Sequence, residues 1–431
     1  MDNPNIMAII ICLSIPACFH IFSRRKKRIL YLSLYSALTI FALIILECRT
    51  AFIGLLFISI IVAGKVIGLN IIPRFRYKLF FVIPVFLIFC AFLFSLHLKK
   101  QNSSDSRLTI WSIASNMISA KPVFGYGYGQ FQKEYNLQQA EYFNTETHTE
   151  QERINAGFTT TCYNEYIQHA IMGGIIGCSL LLALMVSLIH VGWKNRNKQY
   201  IPLAGIVAFA VMSFFNFTIE SPPIFFMFVI YASILIGNTA DPSRPIYNSL
   251  HKKIIVAGLF IAFAFIVTSL QKYNAQKELA YINDLIFKKE LEKADYPLHS
   301  IEPKISTSEA FYRIKARHYI LKQDYINALK AIETSLKYTS APSVLLEKAQ
   351  LDEKTGNLAA AESCYKLVCG IEPHLFKPRV MLMEMYLRNN NIENARIIAH
   401  EITSMNPKVN SEKVTKYKEF ASEIVKLSST N

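Results

Sequence analysis

Charge is scarce in this chain. Only 18% of its 431 residues are Asp, Glu, Lys or Arg, and nearly all the long apolar runs fall in the first 271. These runs are too long for the core helices of a soluble protein, so the first part reads as membrane-embedded and the second as soluble. Acidic residues are scarcer than basic ones, 31 against 46, for a net charge of +15. The excess does not call for nucleic acid, because many basic residues sit in short links between apolar runs, where topology places them. Eight cysteines form no metal pattern. Cys12, Cys18, Cys90 and Cys178 lie in apolar spans, and Cys364 and Cys369 are badly spaced for one helix face. Cys48 and Cys162 both fall near the expected outer face, but no disulfide is assigned. The glycine-rich stretch from Pro122 to Gly129 is no nucleotide fingerprint, and the expectation is of no metal site and no cofactor.

What remains is an all-α pattern: a polytopic transmembrane helix bundle, a large extracytoplasmic loop and a C-terminal helical repeat region. About eight spans are expected, near 5–22, 29–46, 50–68, 79–98, 167–191, 201–218, 223–238 and 254–270, each long enough to cross ~30 Å of hydrocarbon or nearly so. The expected segments are therefore 1–98 (spans one to four), 99–166 (the loop), 167–271 (spans five to eight) and 272–431 (soluble). Basic clusters at Arg24–Arg28, at Lys65 to Lys78, at Lys194 to Lys198 and at Arg244 to Lys253 all fall on one side of such a bundle. Positive-inside then places the loop and the tail outside the cytoplasm. The first span lacks a basic leader and is followed by basic residues, the pattern of a retained span.

From about Ser308 the chain repeats. Asp324-Tyr325-Ile326-Asn327-Ala328, Asn357-Leu358-Ala359-Ala360-Ala361 and Asn391-Ile392-Glu393-Asn394-Ala395 align at spacings of 33 and 34, with Pro342, Pro373 and Pro407 closing the units. This is the pattern of tetratricopeptide repeats, with 272–307 and 411–427 as flanking or capping helices. Such an array either binds a protein or glycan or serves as a spacer.

The loop carries the candidate chemistry. In Arg107-Leu108-Thr109-Ile110-Trp111, Leu108 and Trp111 share a helical face with Ser115 and Ile118, as on a membrane-surface helix. Arg49 stands at the outer end of a span, where a guanidinium either faces a cavity or pairs with Glu47 or a lipid headgroup. Both arginines suit phosphate, offering a charged, bidentate fork. Pro122 to Gly129 holds three glycines at alternate positions, forming either a tight turn against a neighbouring loop or an aromatic sugar-binding surface with Tyr126 and Tyr128. Tyr163, Asn164, Glu165, Tyr166 and Gln168 enter the fifth span, as helix capping or as an acceptor site. His148, His169 and Glu220 are the candidate bases.

Taken together these residues resemble the O-antigen ligase and O-antigen polymerase superfamily, which includes bacterial O-oligosaccharyltransferases. The resemblance rests on Asp2-Asn3-Pro4-Asn5, Arg49-Thr50-Ala51, Arg107 to Trp111, Pro122 to Gly127, and Asn164 to Gln168 leading to Gly173, Gly174 and Gly177, over roughly residues 1–240. It implies a metal-independent, inverting glycosyltransferase of the bacterial inner membrane. The donor would be an undecaprenyl-diphosphate-linked glycan, and the acceptor a lipid A-core, a polysaccharide or a protein. Arg49 and Arg107 would hold the departing diphosphate. Two departures stand out: Tyr163 occupies the place where many members carry a base histidine, and the Asn-Pro-Asn motif begins at residue 3, which implies N-terminal truncation. The competing reading is a non-catalytic membrane scaffold whose repeats recruit envelope proteins. A transporter is disfavoured, since no inverted repeat is visible.

Overall fold

A computed structural model describes residues 3–23, 25–66, 101–145, 148–238 and 249–426, and all their regular structure is helical. In chain order come α1 (Pro4–Ser23), α2 (Arg28–Leu46), α3 (Arg49–Val66), α4 (Gln101–Ala120), α5 (Phe131–Thr145) and α6 (Glu150–Asn155). Then follow α7 (Glu165–Lys194), α8 (Arg196–Met212), α9 (Pro222–Gly237), α10 (Ser249–Phe287) and α11 (Leu291–Ile301). The tail adds α12 (Glu309–Leu321), α13 (Tyr325–Ser335), α14 (Pro342–Lys354), α15 (Leu358–Ile371), α16 (Phe376–Arg388), α17 (Ile392–Ser404) and α18 (Glu412–Lys426). The expected fourth span, the links at 67–78 and 239–248, Asp2 and Cys90 lie outside the described residues.

The chain forms two compact units, Met1–Phe131 with Thr161–Arg244, and Gln132–Thr160 with Pro245–Asn431. The polar stretch that reads as one loop in the sequence is thus divided between them.

In the first unit the core lies where α1, α3, α8 and α9 meet, around Ile9, Leu13, Ile58, Phe209 and Phe228. Tyr231 adds a hydroxyl donated to the Leu13 carbonyl. Pro4–Phe22, Glu165–Lys194 and Val256–Phe287 are long and apolar enough to cross a membrane, and Leu30–Leu46, Arg49–Val62 and Pro222–Gly237 are shorter apolar helices. Outward-facing Leu180, Val186 and Phe226 are all more than 60% exposed, a cost in water that hydrocarbon removes. The helix expected to run to 218 stops at Met212. Ser213 turns its hydroxyl back onto the Phe209 carbonyl at 2.8 Å and onto Thr218 Oγ1 at 2.6 Å, while the Ser213 carbonyl accepts from Glu165 N at 2.9 Å. With those groups satisfied off the helix axis, continuation gains nothing.

In the second unit each repeat is written by its own caps. Asp324, Asn357 and Asn391 accept from the backbone N–H three residues on, at 3.1, 3.3 and 3.2 Å, starting α13, α15 and α17. Just before them, Gln323, Gly356 and Asn390 take the left-handed conformation that reverses the chain. Ala328, Ala361 and Ala395 are wholly buried, small enough for the paired helices to cross closely. These caps and alanines make the α12/α13, α14/α15 and α16/α17 pairs, with α18 packed on α17. At the other end α10 runs on to Phe287 without interruption and buries Leu279, Ile282 and Ile286 against α11 and Phe311.

The segment 132–160 is part of this unit. Ala140 is buried with Leu345, Val368 and Ile371. Gln139, 2% exposed, donates to the carbonyls of Gly157 at 3.0 Å and Ile371 at 2.6 Å. Asn136 accepts from Thr159 N at 2.9 Å and donates to Thr159 O at 2.8 Å. Replacing Gln139 by Leu removes the side-chain donor to the buried Ile371 carbonyl and one of two donors to the Gly157 carbonyl, which keeps Thr159 Oγ1 at 3.0 Å, so Gln139→Leu is expected to lower stability by about 1–3 kcal/mol, read as the thermal midpoint of the detergent-solubilised chain. An unchanged midpoint would mean that this docking contributes little.

Candidate functional site

The site is built on the short segment 213–221 between α8 and α9, which makes three contacts to α4 and α7 of the first unit. Its Phe215 carbonyl accepts from Arg107 Nη1 at 2.8 Å. Its Ile219 N–H donates to Glu165 Oε1 at 2.6 Å. Its Glu220 carboxylate accepts from the Gln168 side-chain amide.

Arg107 projects from α4, and Arg49 starts α3, where its Nη1 donates to Ser104 Oγ at 2.9 Å. Burial, then the positive Arg49 nearby, pulls the Arg107 guanidinium below its ordinary pKa, and its other electrostatic neighbours are Tyr163 and Cys48. Among the described residues no carboxylate lies within ion-pair distance of Arg107. A guanidinium stays charged at any physiological pH, so two close together raise a field that an anion relieves.

Tyr163 lies beneath Arg107. Its ring centroid is 4.9 Å from the Arg107 guanidinium carbon, and Phe217 meets it edge-on at 5.8 Å. The preceding residue is clamped: the Cys162 carbonyl accepts from Trp111 Nε1 at 3.0 Å, and Cys162 N donates to Gln168 Oε1 at 2.7 Å. Between that clamp and the α7 N-terminus, Tyr163 is held at φ 54°, which costs a non-glycine residue roughly 1–2 kcal/mol. Asn164 then caps α7, its Oδ1 accepting from Tyr166 N and Ile167 N at 3.0 and 3.1 Å. The Tyr166 hydroxyl donates to the Ala210 carbonyl at 2.9 Å.

Glu165 is 1% exposed, and its second oxygen has no hydrogen-bond partner among the described residues. The closest cationic candidate is His169 Nδ1 at 3.7 Å, which also bonds the Glu165 carbonyl at 2.8 Å. Glu220 is exposed as a residue, yet its carboxyl is raised above its usual range by partial burial, opposed by the Gln168 amide bond.

The glycine-rich turn is fixed against α7. At Gly174 (φ 61°) the helix breaks, and the backbone of Pro122 to Gly129 fills the gap. Tyr126 N and Gly127 N donate to the carbonyls of Ile171 and Met172 at 2.8 and 2.9 Å, and Ile175 N donates to the Pro122 carbonyl at 2.8 Å. A Cβ on Gly174 would lie 2.1 Å from the Val123 carbonyl oxygen, and one on Gly125 2.3 Å from that of Ile171. The Tyr128 ring lies over this junction and meets His169 edge-on at 5.7 Å.

Of the residues singled out in the sequence, Arg49, Arg107, Trp111, Tyr163, Asn164, Glu165, Tyr166, Gln168, His169 and Glu220 all lie in the first unit, joined by the contacts above. His148 does not join them. It belongs to the second unit, where its Nε2 bonds the Tyr142 carbonyl at 2.7 Å and its ring lies 4.1 Å from that of Tyr142. Sequence reasoning missed the segment 213–221 apart from Glu220. The signal was present in Ser213, Asn216 and Thr218, three polar residues interrupting an apolar run before Pro222 and Pro223.

Residues 34–182 match the family model Wzy_C, O-antigen ligase. That range includes both arginines and the α7 entrance and stops short of segment 213–221. No curated protein matches the chain. Among solved structures, the crystal structure of yeast Tom70 aligns at 12% identity over 91% of this chain and 85% of its own, with a TM-score of 0.31. A likeness that weak carries no argument.

Proposed function

We propose that the chain carrying this Wzy_C, O-antigen ligase match is a membrane glycosyltransferase of the ligase type. It takes a glycan from undecaprenyl diphosphate at the periplasmic face of the bacterial inner membrane and passes it to a lipid A-core, polysaccharide or protein acceptor. The observation that carries the reading is Arg107, partly buried beside the positive Arg49 and, among the described residues, with no carboxylate within ion-pair distance. A diphosphate brings negative charge to Arg107, and more of it as the glycosidic oxygen departs, so the guanidinium favours the transition state over the ground state. Tyr163 acts as a platform that orients Arg107.

In the reaction the acceptor hydroxyl oxygen bonds to the anomeric carbon as the bond from that carbon to the diphosphate oxygen breaks, with inversion. The leaving diphosphate keeps the electron pair, and a base takes the acceptor's proton. Glu220 fits that role best: it is accessible, and Gln168 orients it. Because burial raises its pKa, transfer is expected to fall on the acid side with a midpoint above that of an ordinary glutamate, about 4.3. The Glu220→Gln chain should be slow and lack that limb. A wild-type limb retained in Glu220→Gln would move the role to His169.

The test of the reading is a surface-glycan profile of cells lacking the gene and complemented by wild type or Arg107→Ala at equal membrane abundance. Restoration by wild type alone supports transfer. Full restoration by Arg107→Ala would favour the scaffold. Deleting the tail is not a neutral control, since 132–160 packs in the same unit as the repeats.

A further inference from the structure

Two cavities in the second unit share a wall. One, about 380 Å³, has Phe143, Asn144, Arg153, Lys366, Arg379 and Glu401 around it. The other, about 280 Å³, meets His148, Glu150, Arg153, His374, Arg379 and Asn406. They lie where α5 and α6 meet the third repeat, and their volumes are in the range of small-ligand sites or just below it.

Arg379 is 5% exposed. Its Nε donates to Glu401 Oε1 at 2.5 Å and its Nη1 to the Leu375 carbonyl at 3.0 Å. Its Nη2 has no hydrogen-bond partner among the described residues. Arg153, on both cavity walls, makes one long contact to the Phe143 carbonyl, 3.4 Å, and has no carboxylate within ion-pair distance among the described residues. The carboxylates present are already engaged, Glu401 with Arg379 and Glu150 with Asn406. His374, on the wall of the second cavity, is held below its ordinary pKa first by burial and then by Lys408 and Arg379.

We infer that this seam binds an anionic sugar, a saccharide bearing one carboxylate or phosphate, with Arg153 and Arg379 on the charged group. Arg153 presents a planar fork that matches either oxyanion, and Arg379 adds its remaining Nη2. Asn144 and Asn406 on the walls offer partners for hydroxyl groups. The uncompensated Arg153 stands by itself; that the anion is carried on a sugar rests on the glycosyl-transfer reading.

The test is calorimetric titration of the full-length, detergent-solubilised chain with glucuronate, glucose 6-phosphate, glucose and inorganic phosphate. The anionic sugars are expected to bind at least about tenfold more tightly than glucose, a preference of about 1.4 kcal/mol. Arg153→Gln should erase that preference at an unchanged melting temperature, Arg153→Lys should keep part of it, and Arg107→Ala should bind like wild type. Equal binding of glucose and the anionic sugars, or an undiminished preference in Arg153→Gln, overturns the inference. Inorganic phosphate binding as tightly as glucose 6-phosphate overturns the sugar assignment. Intact binding in a chain that fails the glycan-profile test supports the site and sinks only the transfer reading.

Discussion

Arg107→Ala is expected to slow glycan transfer by about 10²–10³-fold, the usual cost of removing one preorganised donor from a developing oxyanion. The loss should appear in kcat more than in KM, because the leaving oxygen gains charge only as its bond breaks. Arg107→Lys should recover part of the rate. A lysine keeps the charge, but it cannot at once donate to the Phe215 carbonyl, lie flat over Tyr163 and present a fork to a diphosphate. The measurement is initial rate of product formation by purified variants on one lipid-diphosphate donor. A rate within about threefold of wild type for Arg107→Ala would contradict the role, being under 1 kcal/mol of barrier.

Gly174→Ala is expected to have the largest effect on stability, about 3 kcal/mol or more. Its added methyl would meet the Val123 carbonyl at 2.1 Å, and φ 61° is unfavourable for alanine even in open space. Relief requires the turn at Pro122 to Gly129 to leave α7, which frees the carbonyls of Ile171 and Met172 and the Ile175 N–H together. Gly237→Ala, where a Cβ meets nothing within 4 Å, is the control and should be neutral or slightly stabilising. Thermal midpoints and protease cutting between α4 and α5 report the difference. Equal behaviour of the two variants would mean the turn is not anchored to α7.

What the sequence makes legible follows the range of each interaction. The repeat helices are local objects: Asp324, Asn357 and Asn391 cap the helices they begin, and Ala328, Ala361 and Ala395 mark the crossings, so a spacing of 33 or 34 suffices to find them. The apolar helices are legible by length. The two glycines Gly125 and Gly174 are each visible, but their pairing across some fifty residues is not. The same holds for 132–160, whose attachment to the tail depends on Gln139 meeting the Ile371 carbonyl, a contact with no local signature. For that reason His148, near Arg107 in the chain, joins a different unit. The end of α8 at Met212 was hidden for another reason: the aromatic residues Phe214, Phe215 and Phe217 keep the run apolar while Ser213 and Thr218 turn it.

The most direct test of the central claim is the affinity of the purified full-length chain for undecaprenyl diphosphate, measured for wild type and Arg107→Ala at low and high salt. If the two guanidinium groups hold the diphosphate, the variant binds at least about tenfold more weakly. Equal affinity in the two proteins would contradict that role for the arginine pair.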